Sequence, residues 1–343
     1  MADSARPALF SFPPQQTGEP STRNWYQELL DHPDCQNDPT KIQEAYESFR
    51  SASLSRSIAS FLPVNSNGTT CNDQNEKHPQ PMQCITPDQA LIRYLKLQQE
   101  SKENGKEIGE LSQQDVNCFV VWARPDTRTI NLLEEIQNRL WNLVGPDIHL
   151  IPPSDLHLSV LELSHRHSVS HLRSVSSKIG VPVLEKLLDI PRSNFHRDKS
   201  TARLVKPMVM FDKLGVAVGF VPADDRYTHH HLRNQLHTMA LETGVSIDTC
   251  YTAPLAHVTV GRFINNAFFE GAGPDSSKEE VKRDRMAQWV NLIRQMNEDL
   301  KRDYGDDFAW VVGGERPLEV QLGYIKFGRG ADQADLVGNV LGT

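Results

Sequence analysis

Two short segments of this 343-residue chain each place a histidine and a hydroxyl residue two positions apart in an apolar run. His157 and Ser159 lie in the segment DLHLSVL (155–161), and His257 and Thr259 lie 100 residues later in AHVTVGR (256–262). Because strand side chains alternate between faces, each segment predicts a strand with its histidine and hydroxyl on one side and its apolar residues on the other. Two such strands side by side would gather two imidazoles and two hydroxyls in one cleft.

The residue types in this cleft suit the hydrolysis of a phosphodiester. Histidine serves as either base or acid because its ordinary pKa of about 6.5 lies near working pH. One histidine would activate water and the other would protonate the departing oxygen. The two hydroxyls would donate to the phosphoryl oxygens as negative charge develops on them. This division needs no metal and no cofactor, and the sequence does not say which histidine is the base.

Each motif follows a similar series of elements. An apolar strand begins near Phe119 in the first case and near Val216 in the second, then an amphipathic helix follows, then a loop that contains proline. The order strand, helix, motif strand therefore occurs twice, which indicates a degenerate internal duplication.

Paired His-x-Ser/Thr motifs in a duplicated frame resemble the two-histidine (2H) phosphoesterase superfamily, which includes RNA-ligase-like 2′,3′-cyclic nucleotide phosphodiesterases. The resemblance covers about residues 116–330. It implies an α+β fold of two lobes, with antiparallel sheets flanked by helices around a central cleft. It also implies that His157 and His257 are catalytic and that Ser159 and Thr259 bind the substrate phosphate. The first motif departs from the family pattern, with Ser159 as its hydroxyl and Glu162 where the second motif has Arg262.

Three further residues near the motifs are candidates for lining the pocket: His149, Tyr251 and Arg262. A regular strand would turn Arg262 to the side opposite Thr259, so both a structural salt bridge and a phosphate contact stay open for it. The run His229-His230-His231 does not predict a metal site, because neighbouring residues lie about 100° apart around a helix.

The composition limits which substrates and which cellular compartment the sequence predicts. The net charge is −8, whereas a protein that grips long nucleic acid usually carries a basic surface. A small nucleotide or an RNA end is therefore the expected partner. Five cysteines without a CxxC pair favour a reducing setting, the cytoplasm or else the nucleus. The sequence contains no apolar run long enough to span a membrane and predicts no signal peptide.

The chain divides by pattern into three parts. Residues 1–20 are predicted to be disordered, and residues 21–110 form a helical N-terminal extension with a loop at 64–84. Two helix starts are marked in this extension, one at Asp38-Pro39 and one at Thr86-Pro87-Asp88-Gln89, which has the form of a capping box. The phosphoesterase domain then occupies 116–330, with lobes at about 116–190 and 203–330 joined by a polar linker. The extension is a lid, a packing annex or a partner surface.

Two other functions compete with a cyclic phosphodiesterase. The same cleft could hold a nucleotide or an RNA end without turnover. Alternatively, the fold could be repurposed for another phosphoester or a small metabolite, with the N-terminal helices reshaping the cleft. The oligomeric state is left open by the sequence.

Overall fold

The computed structural model describes residues 20–63, 82–104, 117–249, 254–271, 275–305 and 307–342. The helices are α1 (Trp25–Asp31), α2 (Pro39–Phe61), α3 (Gln89–Asn104), α4 (Thr127–Val144), α5 (Val169–Ile179), α6 (Val181–Leu188), α7 (Ile190–Asp198), α8 (His229–Glu242), α9 (Ala267–Glu270) and α10 (Asp275–Asp303). The strands are β1 (Asn117–Ala123), β2 (Ile148–Leu150), β3 (Leu158–His167), β4 (Arg203–Phe211), β5 (Gly215–Pro222), β6 (Ala256–Phe263), β7 (Trp310–Val311), β8 (Leu318–Gly323) and β9 (Leu336–Val337).

The fold is α+β, and its described strands form one nine-stranded sheet whose order is β7-β4-β5-β6-β3-β1-β8-β9, with β2 paired to β6. Every described pairing is antiparallel. The sheet has two halves, one built around β1 and β3 and the other around β4, β5 and β6. They meet where β3 pairs with β6, so the two motif strands are neighbours at the centre of the sheet. Strand β8 returns from the C-terminal part of the chain to pair with β1 in the first half.

Several local elements form where the sequence predicts them. The apolar run from Phe119 is the buried strand β1, and the amphipathic helix predicted after it is α4. The carboxylate of Asp126 caps α4 by accepting from the backbone N–H of Thr129 at 2.7 Å. Asp38 caps α2 in the same way, with Pro39 at its first position. These signals succeed because each depends only on residues within one turn of the helix.

Two local expectations are wrong. The polar residues 191–202 contain most of helix α7, whose Ile190, Pro191 and Asn194 are buried, so this stretch is not a linker. Helix α3 is capped by Asp88, which accepts from the N–H groups of Ala90 and Leu91, and not by Thr86. Threonine and aspartate are both favoured as helix caps, so the sequence alone does not show which of the two residues caps this helix.

The N-terminal helices pack into the core. Tyr26 of α1 and Tyr46 of α2 are each 1% exposed, and both contact the His230 ring edge-on. The two nitrogens of that ring form hydrogen bonds with the Tyr46 hydroxyl at 3.0 Å and with the Tyr26 carbonyl at 2.8 Å. Through these two tyrosines, helices α1 and α2 are anchored to α8. The region predicted to be disordered lies almost wholly outside the described residues, as does most of the predicted loop at 64–84.

Candidate active site

The two motifs meet through the register of their strands. Leu158 of β3 lies opposite Val258 of β6, and both side chains are fully buried. Extending this antiparallel register by one residue in each direction sets the position of His157 across from Thr259 and that of Ser159 across from His257. Because all four alternate with buried apolar positions, their side chains project from the same face of the sheet.

The four motif side chains line one cavity of about 190 Å³. The remaining lining residues are Ile151, Arg262, Lys326 and Phe327. Two imidazoles, two hydroxyls and two cationic side chains therefore surround a space suited to a small anionic group. A second cavity of about 220 Å³ shares His257, Thr259 and Arg262 with the first, and Ser53 and Ser57 of α2 form part of its wall.

Arg262 lines the cavity on the side of Thr259, because β6 is not the regular strand in which Arg262 would turn to the opposite side. The register between β5 and β6 shifts by one residue, because Val216 lies opposite Gly261 whereas Ala217 lies opposite Thr259. The extra residue in β6 is a β-bulge, and it places two buried positions in succession, 260 and 261. A bulge reverses the alternation of faces beyond it. Arg262 is thereby returned to the side of His257 and Thr259.

The Arg262 guanidinium makes one salt bridge, and one of its nitrogens has no hydrogen-bond partner among the described residues. Its Nη1 donates to the carboxylate of Asp88 at 2.9 Å, and the cation lies 5.5 Å from the centroid of the Phe327 ring. Its Nε is buried and has no hydrogen-bond partner among the described residues. The ammonium of Lys326 lies 3.8 Å from the same Asp88 carboxylate. Asp88 therefore holds both cations at the cavity wall.

His157 is fixed by stacking and by one hydrogen bond. Its ring stacks on Trp122 with centroids 3.6 Å apart and planes 15° from parallel. Its Nδ1 lies 2.8 Å from the backbone carbonyl of Asp155. Because a carbonyl only accepts, the proton resides on Nδ1 and Nε2 is the nitrogen left for chemistry. Burial, opposed in part by that carbonyl and assisted by the positive charges of Arg124 and Arg262, lowers the pKa of His157 to about 3.

His257 is also held neutral in the ligand-free protein. Burial lowers its pKa to about 4, and the charges of Arg233 and Arg262 act in the same direction. Arg233 of α8 is 1% exposed and donates to the carbonyls of Val160 and Leu255, each at 2.8 Å, so it is a fixed cation on the two motif segments. An anion in the cavity would offset these positive charges and favour protonation of a histidine.

Of the other two candidate pocket residues, the structure describes His149 only. His149 lies in β2 opposite Arg262, it is half-buried, and burial lowers its pKa. It is not among the described residues that line either cavity with the histidines. Tyr251 lies outside the described residues.

Four residues near the site are absent from the sequence-based set: Asp88, Trp122, Arg233 and Lys326. Trp122 ends the apolar run of β1, so it is indistinguishable from a core residue until the ring of His157 stacks on it. Lys326 follows β8, which returns to pair with β1 from about 200 residues along the chain. Asp88 carries a signal, the helix cap, but nothing local links it to Arg262. Only the tertiary contacts identify these residues.

The run of three histidines has structural roles. His229 and His230 are fully buried in α8, and His231 caps the helix together with Thr228.

No family model matches this chain, and neither does any curated protein. Among solved structures, the chain is similar to Usb1 of Kluyveromyces marxianus, whose structure contains uridine monophosphate. The two share 14% sequence identity, with a TM-score of 0.35 and coverage of 62% of this chain and 96% of Usb1. Within the described residues, no helix is both long and apolar enough to cross a membrane.

Proposed function

We propose that this protein is a phosphodiesterase that hydrolyses a 2′,3′-cyclic phosphate on a nucleotide or an RNA end. The observation that carries the proposal is the convergence of His157, His257, Ser159 and Thr259 on one cavity of about 190 Å³. The cationic side chains of Arg262 and Lys326 on its wall match a phosphate in charge.

In the proposed reaction, His157 is the base and His257 is the acid. The Nδ1–H bond to the Asp155 carbonyl leaves a lone pair on Nε2, which accepts a proton as water attacks phosphorus. A new P–O bond forms to the water oxygen and the ring P–O bond breaks. The departing ribose oxygen takes its proton from His257, and a phosphomonoester results. Ser159 and Thr259 donate to the phosphoryl oxygens, where preorganised donors lower the barrier.

His257 can act as an acid only if substrate raises its pKa. In the ligand-free protein, burial and two arginines favour its neutral form. The negative charge of a bound phosphodiester would counteract those arginines and stabilise the imidazolium. Substrate binding would thus prepare the acid, while the carbonyl contact keeps His157 oriented as the base.

The adjoining cavity supports a substrate that extends beyond the phosphate. It lies next to His257 and Thr259 and is walled partly by Ser53 and Ser57 of α2. A nucleoside attached to the cyclic phosphate would fit this place, and the N-terminal helix would then contribute to recognition.

A panel of the four 2′,3′-cyclic nucleotides and a short RNA with a cyclic phosphate end tests the proposal. We expect turnover of at least one substrate to a 2′- or 3′-phosphate, which product identification would distinguish. Binding without turnover would instead indicate a non-catalytic module. Hydrolysis of another phosphoester, with none of any cyclic phosphate, would indicate a repurposed enzyme.

A further inference from the structure

A second group of chemically active side chains lies outside the proposed catalytic cavity, at the other end of β1 and β3. Cys118, Glu162 and His165 are all buried, and their sulfur, nitrogen and oxygen atoms lie within 4.8 Å of one another. The Sγ of Cys118 is 3.2 Å from Nδ1 of His165, which is 2.7 Å from a carboxylate oxygen of Glu162. No spacing in the sequence predicts this group.

A bulge in β3 creates the convergence, and a second bulge follows directly after it. Cys118 lies opposite His165, whereas Val120 lies opposite Glu162, so β3 carries one extra residue between these pairs. A second extra residue, Arg166, has a left-handed backbone with φ of 61°. Residues three apart in a regular strand face opposite sides, but the first bulge brings Glu162 and His165 to the same side. Strain at a bulge is often retained where it aims functional side chains.

We propose that Cys118, Glu162 and His165 bind one zinc ion. Thiolate, imidazole and carboxylate are the three side-chain ligands that zinc takes in proteins, whereas magnesium and calcium require oxygen ligands. The thiolate and the carboxylate together offset the charge of the ion, so the buried site carries no net charge. A water molecule completes four-coordination.

Zinc binding requires a defined rearrangement of this group. The Cys118 thiol releases its proton to solvent, and the imidazole proton of His165 moves from Nδ1 to Nε2. Ligand atoms around tetrahedral zinc lie about 3.3–3.8 Å apart. The 2.7 Å distance between His165 and Glu162 must therefore increase, whereas the 3.2 Å distance between Cys118 and His165 changes little. In the structure, Nε of Arg166 donates to Nε2 of His165. Arg166 is exposed, so it turns outward when Nε2 takes up the proton.

Neighbouring residues already orient two of the ligands. The Thr249 hydroxyl donates to the second oxygen of Glu162 at 3.1 Å, and the Asp248 carboxylate accepts from the backbone N–H of His165 at 3.0 Å. Such partners orient metal ligands and tune affinity. Both belong to the segment that precedes β6, so the ion would tie β1 and β3 to the approach to the second motif. Cys118 and Trp122 share a face of β1 and are about 13 Å apart along the strand, which separates this site from the proposed chemistry.

Metal content and spectroscopy of the full chain test the proposal. We expect purified protein, supplied with zinc and then passed through gel filtration, to retain one zinc per chain. Removing the metal with chelator should lower the melting temperature, and adding zinc should restore it. Cobalt in place of zinc should give a thiolate-to-cobalt charge-transfer band. Cys118→Ser should abolish the band and the retained zinc, whereas Cys35→Ser, at another buried cysteine, should leave both unchanged.

Two further variants keep the test decisive if Cys118→Ser does not fold. Glu162→Gln removes a ligand at nearly constant shape, and Thr249→Ala removes only the hydroxyl that orients Glu162. Loss of such an orienting partner typically weakens metal binding about 10–100-fold. The proposal is overturned if wild-type protein retains no zinc, if its cobalt spectrum lacks the thiolate band, or if folded Glu162→Gln binds zinc as tightly as wild type. None of these readouts depends on the proposed phosphodiesterase activity.

Discussion

Acidification from about pH 7.5 to about pH 5.5 should destabilise this protein through three histidines of α8. His229, His230 and His237 are fully buried. Burial lowers the pKa of His230 to about 3 and that of His237 to about 4, and it lowers the pKa of His229 well below its ordinary value. The cause is that the interior cannot hydrate an imidazolium as water does.

The size of the effect follows from the unfolded state. An unfolded histidine titrates near pH 6.5, so it takes up a proton over this range while its folded counterpart stays neutral. Each such histidine lowers the free energy of unfolding by about 1 kcal/mol between the two pH values. His230 and His237 together account for about 2–3 kcal/mol by the same relation, and His229 adds to it. This stabilisation is present above pH 6.5 and declines as the pH falls toward the folded pKa values. Domains are typically stable by only about 5–15 kcal/mol.

Urea unfolding at the two pH values measures this difference, with tryptophan fluorescence as the probe. His237→Phe removes one titrating ring and keeps an aromatic neighbour for Tyr26, so the pH dependence of its stability should shrink by about 1 kcal/mol. His196→Asn, at an exposed position, is the matched control and should behave as wild type. Equal stability at both pH values, or an unchanged pH dependence in His237→Phe, would refute the reasoning.

The remaining predictions concern the proposed reaction. His157→Ala and His257→Ala should each reduce turnover about 10²–10⁴-fold without unfolding the protein, and near-normal rates in either would contradict a two-histidine mechanism. Ser159→Ala and Thr259→Ala should each cost about 10²–10³-fold, the usual effect of losing one transition-state donor, and unchanged rates in both would mean that they do not contact the phosphate. Asp88→Asn, which removes the charge that holds Arg262, should raise KM more than it lowers kcat, with circular dichroism as the control for folding. The pH profile of turnover should be bell-shaped, with an acid limb displaced downward because burial lowers the pKa of His157, and activity should persist in chelator for protein that remains folded. A profile with a single limb would leave one histidine without a proton-transfer role.

The sequence by itself determined the local elements and the contents of the two motifs. Alternation at residues 155–161 and 256–262 predicted which side chains share a face, and the cap at Asp38 marked the start of a helix. The apolar strand that is predicted to begin near Val216 is present as β5. Each of these features depends on neighbours a few residues apart, where periodicity and capping chemistry are decisive.

Only the tertiary structure decided how these parts combine. The pairing of β3 with β6 brings the histidines together, and a bulge within β6 turns Arg262 toward them against its expected direction. The return of β8 brings Lys326 to the cavity, and a bulge in β3 unites Glu162 with His165. Register, bulges and long-range returns depend on the packing of the whole sheet, so no local window of sequence contains them. The lowered pKa values of the histidines also depend on the tertiary structure, because burial and the placement of arginines exist only in the folded chain.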